Sequence, residues 1–84
     1  MRKVSSHYLH LPDGTFLPQQ VVEMSRGEVV NYYPLDGESE DIEWYPGVIE
    51  LHPEEGGRCT AWLLYPYDFI GMKPVGGTQR RQLK

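Results

Sequence analysis

The chain has 84 residues, a formal net charge of −4 and a single cysteine. That length supports one small domain, which buries only about 60–65% of its unfolded surface. One cysteine permits no internal disulfide, so a reducing, cytoplasmic setting is expected. No apolar run approaches the roughly 20 residues of a membrane span. The opening MRKVSSHYLHLPDG lacks the apolar stretch of a secretory signal, so neither membrane nor export is expected.

Charge is unevenly distributed. Residues 36–55 hold eight acidic side chains and no Lys or Arg, and residues 73–84 hold four basic ones and no acid. This implies either a solvated acidic loop with a frayed basic tail, or a self-complementary pair in which the tail of one copy meets the acidic belt of another.

Seven prolines and nine glycines leave few windows for a helical period. Short runs of β-branched and aromatic residues lie between turn signals instead. Val4 to Leu11 reads as a first strand. Pro12-Asp13-Gly14 is a turn, with Pro presetting φ and Gly supplying φ > 0. Thr15 to Met24 is the second strand, with Pro18 marking an edge or a bulge. Ser25-Arg26-Gly27 closes a tight hairpin into Glu28–Tyr33, which Pro34 ends. Leu35 to Asp41 reads as a polar loop. Ile42–Tyr45 and Val48–His52 are short strands parted by Pro46-Gly47. Glu55-Gly56-Gly57 is a further turn into Arg58–Tyr65. Pro66 to Pro74 is irregular or an edge strand, and residues 76–84 form a basic, flexible tail after a single domain over 1–75.

In Cys59-Thr60-Ala61-Trp62-Leu63-Leu64-Tyr65 both alternating faces are apolar, as in a strand covered on both sides or lying at an interface. Two-sided strands need more cover than one thin sheet supplies. The expected fold is therefore all-β: a small, mostly antiparallel sandwich or barrel of about six or seven short strands.

The chemistry-bearing residues form no recognisable site. His7 and His10 differ by three, which puts them on opposite faces of a strand and prevents joint chelation. His52 and Glu54 share a face, but Pro53 between them and the lack of two further ligands leave them short of a zinc site. Cys59 opens an apolar strand without the cation or imidazole that activates a thiol. Gly76-Gly77-Thr78-Gln79-Arg80 lacks the spacing of a phosphate loop. The acidic centre would repel a phosphate backbone, so nucleic acid is not an expected partner. Catalytic, metal and cofactor residues are therefore none.

Pro46-Gly47-Val48-Ile49-Glu50-Leu51-His52 resembles the Pro-Gly-apolar-Ile-acid-x-His segment of metal-dependent amidohydrolases. There it leads from a small β-domain into a catalytic barrel, and its His-x-His supplies two metal ligands. His52 matches the first histidine, and Glu54 stands in place of the second. Val21–Val30 is similar to the hairpin of that β-domain. Gly57–Tyr65 is loosely similar to its return strand, with Trp62 where the family has Asp. The resemblance implies the barrel-flanking β-domain without the barrel and without its activity, since only 32 residues follow His52. Such a domain must cover the surface a barrel would cover. Trp44, Trp62 and Leu64 are the interface candidates, for a homodimer or another protein. The alternatives are a sugar- or peptide-binding module using surface aromatics, and a vestigial metal hydrolase centred on His52 and Glu54.

Overall fold

Turn chemistry places the strands. In the computed structural model, which describes residues 1–36 and 41–84, nine strands form among the described residues: β1 Arg2–Ser5, β2 Tyr8–His10, β3 Phe16–Pro18, β4 Gln20–Ser25, β5 Glu28–Pro34, β6 Ile42–Trp44, β7 Val48–Pro53, β8 Cys59–Asp68 and β9 Lys73–Leu83. The chain is all-β, with one 3₁₀ turn among the described residues, Glu55–Gly57. Of the polar loop expected over 35–41, residues 37–40 lie outside the described residues. Among the described residues no helix is long and apolar enough to cross a membrane.

The excess over six or seven strands has two origins: the runs expected over 4–11 and 15–24 are each divided in two, and the segment expected as a tail adds β9. Three long strands bend and pass from one sheet to the other, so each is divided in two. The first bends after Ser5 and Ser6, which are 0% and 2% exposed. Their hydroxyls replace the interrupted ladder: Ser5 Oγ donates to the Gln20 carbonyl at 2.7 Å, and Ser6 Oγ accepts from the Ile49 amide at 3.3 Å. The second bends at Gln19, whose φ is +44°, directly after Pro18. The third bends at Pro46-Gly47. Gly47 has φ +118°, and a Cβ there would run into the Leu64 carbonyl, so only glycine fits.

The result is a four-stranded sheet, β5-β4-β1-β6, and a five-stranded sheet, β3-β2-β7-β8-β9. Most pairings are antiparallel, as expected. β1 with β6 and β2 with β7 are parallel, so both sheets are mixed. Arg26 and Gly27 both take positive φ in a two-residue loop pairing Ser25 with Glu28, which gives a type I′ hairpin.

The core lies between the sheets. Val4, Val22 and Met24 from the first meet Leu9, Ile49, Leu51, Ala61, Leu63 and Leu83 from the second. Leu83 corrects the expectation of a flexible tail over 76–84. That segment is the second half of β9, paired with β8 from Ala61↔Leu83 to Tyr65↔Gln79, and Leu83 is 2% exposed. One buried leucine and a ladder of backbone hydrogen bonds outweigh the low local β-propensity of Gly76-Gly77.

Candidate functional site

Register on the five-stranded sheet builds the site. Phe16, His10, Glu50, Trp62 and Gln82 stand side by side in one row across β3, β2, β7, β8 and β9. Strand alternation turns this row away from the core, because Leu9, Ile49 and Ala61 point inward. The adjacent row is Pro18, Tyr8, Val48, Leu64 and Arg80.

Glu50 is the hub, with its side chain 21% exposed. Its Oε2 lies 3.3 Å from His10 Nδ1. Its Oε1 contacts His52 Nε2 and accepts from Arg80 Nη2 at 2.7 Å. Burial alone would raise the Glu50 pKa. The hydrogen bonds from His52 and His10 and the charge of Arg80 outweigh burial and hold the carboxyl below its ordinary value. Arg80 also lies over the Trp62 ring, 5.6 Å from its centroid. Trp62 Nε1 donates to Thr60 Oγ1 at 3.1 Å, and Glu54 Oε1 lies 3.2 Å from the same hydroxyl.

A band of rings runs from this hub across the face. His10 stacks on Phe16 at 4.3 Å, and Phe16 meets Tyr67 at 6.4 Å. Tyr67 and Tyr8 each approach Phe69 at 5.8 Å. Phe69 packs on His7 at 4.9 Å, and His7 on Trp44 at 5.2 Å. The β8–β9 turn delivers Phe69: Asp68 Oδ1 accepts from the Ile70 and Gly71 amides and fixes the reversal. Burial, and after it the charge of Glu50, push the Tyr67 hydroxyl above its ordinary pKa.

The sequence-derived candidates separate here. Leu64 is 4% exposed within the single chain, so it is not an available contact residue. The second apolar face of β8 is covered from within, and Leu64 needs no partner to cover it. Trp62 is half-buried beside Arg80, and Trp44 is 45% exposed at the far end of the band. His52 and Glu54 do not form a pair. His52 meets Glu50, and Glu54 meets Thr60.

No group of three His, Cys, Asp or Glu among the described residues is placed to hold a metal. The guanidinium of Arg80 lies 2.5 Å from His52 Nε2, which sets a positive charge beside that imidazole. Cys59 is a free thiol whose pKa is raised, chiefly by burial, which argues against reactivity. His7 lies in the bend before β2 and accepts from the Gly47 amide, whereas His10 meets Glu50, and both rings belong to the same aromatic band. The basic segment meets the acidic one inside the chain, through Arg80 and Glu50, rather than only between copies.

Sequence reasoning missed Arg80 and His10. Arg80 lay in a segment read as tail. His10 reaches Glu50 through parallel pairing of strands 40 residues apart, for which no local signal exists. Comparisons with protein-family models, curated proteins and solved structures find no match.

Proposed function

We propose that this chain is a non-catalytic β-domain, working in a reducing cytoplasmic setting as an interaction module that associates with a second copy of itself. The supporting observation is the apolar end of the aromatic band. Ile70 is 98% exposed and follows Phe69 directly, and Trp44 is 45% exposed on the other side of His7. Exposed aromatics on a rigid sheet are the usual anchors of protein interfaces. The resemblance to an amidohydrolase β-domain belongs to the same proposal: such a domain, freed from a barrel, keeps a face made for packing.

A sugar platform at the Glu50 hub is less well supported, because it needs free ring faces there. Here His10 and Phe16 cover each other at 9°, and Arg80 covers Trp62. A hydrolase reading is weakened by the guanidinium at the only His-rich cluster described.

Sedimentation equilibrium from low to high micromolar concentration tests the proposal. The mass rises toward twice that of one chain, and the double variant W44A/I70S stays at one. Both positions are exposed, so the double variant is expected to lose no more than about 1 kcal/mol of stability. A wild-type mass of one chain throughout, or a variant that associates like the wild type, refutes it.

A further inference from the structure

The core opens at one end. Ala61 and Leu83 face each other on β8 and β9 and are 0% and 2% exposed. Two residues along on the same face stand Leu63 and Arg81, then Tyr65 and Gln79. Leu63 is still buried, but Tyr65 is 51% exposed. With Tyr45 and Pro46, just beyond β6, these residues line an open cleft of about 270 Å³. Leu63, which lines the cleft, belongs to the core shared by the two sheets.

One charge in it is uncompensated among the described residues. Two guanidiniums approach the Tyr45 ring, Arg2 at 6.0 Å and Arg81 at 5.5 Å from its centroid. Arg2 is neutralised by Glu43 at 2.7 Å, and the Tyr45 hydroxyl donates to the same carboxylate. Arg81 has no ion-pair partner among the described residues. The cleft thus sets a held cation beside an apolar floor and two aromatic walls, in a chain that is otherwise net negative.

We propose that this cleft binds a small carboxylate bearing one aromatic or branched apolar group. The apolar group lies over Leu63 between Tyr45 and Tyr65. The carboxylate pairs with Arg81, whose planar fork matches it with two parallel hydrogen bonds. Gln79 offers a further amide donor. The volume falls below the roughly 300–1,000 Å³ of drug-sized sites, which limits the apolar group to about one amino-acid side chain. Nothing in this assignment depends on self-association.

The test titrates the full chain with N-acetyl-tyrosine and, separately, with its uncharged amide, followed by backbone-amide NMR. The acid shifts the amides of Tyr45, Leu63, Gln79 and Arg81 saturably. The uncharged analogue binds about tenfold or more weakly, the equivalent of one charge-assisted contact. R81Q erases the difference between the two probes, and R81K, which keeps the charge without the fork, retains part of it. Spectral dispersion of R81Q outside the cleft confirms that it folds. Equal binding of acid and amide, shifts confined to other surfaces, no saturable shift, or wild-type acid binding by R81Q each overturn the assignment.

Discussion

At Glu50 one carboxylate answers three donors drawn from three strands: His10 on β2, His52 on β7 and Arg80 on β9. Its pKa is held below the ordinary 4.5. A depressed carboxyl stabilises the fold above its unfolded pKa and loses that contribution as pH falls through the folded one. E50Q is therefore expected to cost about 1–2 kcal/mol at neutral pH, discounted for the half-exposed Arg80. The deficit relative to wild type narrows as pH falls below 4.5 through the folded pKa and then levels off. Urea midpoints of both proteins across that range check this. A deficit that stays constant with pH would assign the loss to packing instead of charge. The histidines alone did not reveal this hub, because spacing in the sequence reports only which face a residue takes. It does not report which strand lies beside it.

At the scale of elements, the sequence is informative where the backbone needs a special residue. Pro18 marks the break between β3 and β4, and Pro46-Gly47 the break between β6 and β7. Gly27 supplies the second positive φ of the β4–β5 hairpin. The break after Ser5 carries no such signal, because buried serines make the corner through hydroxyls whose partners, the Gln20 carbonyl and the Ile49 amide, lie far along the chain. β9 was hidden for a related reason. Its glycines and charges suit an edge strand, where lysine and arginine discourage further pairing, but they also suit a tail. Leu83 separates the two readings. L83A is expected to lose about 2–4 kcal/mol, as for other buried Leu→Ala changes, whereas a leucine in a frayed tail would lose nothing measurable. Chemical denaturation of the two proteins decides between them. The Arg80–Glu50 and Arg81–Tyr45 contacts depend on the same strand and were hidden with it.

At the scale of the molecule, the two sheets are halves of one bent structure. Three strands cross between them with no linker, and the core draws Val4, Val22 and Met24 from one and Leu9, Ile49 and Leu63 from the other. The ends are tied as well: Arg2 donates to the Lys84 carbonyl at 2.5 Å and to Glu43 at 2.7 Å, joining β1, β6 and the residue after β9. Neither sheet can lose its partner without exposing that shared core, so unfolding is expected to be a single transition. The two tryptophans test this directly, since Trp44 reports from β6 in the four-stranded sheet and Trp62 from β8 in the five-stranded one. In W62F the fluorescence of Trp44 follows the same urea curve as far-UV circular dichroism, and in W44F that of Trp62 does likewise. Both variants give a slope near the low end for small proteins, about 1 kcal/mol/M. Comparing the two probes within each variant removes any stability change the substitution itself causes. A Trp44 signal lost at lower urea than the dichroism would mean that the four-stranded sheet peels away first, leaving β2, β7, β8 and β9 to hold Glu50 and its partners on their own.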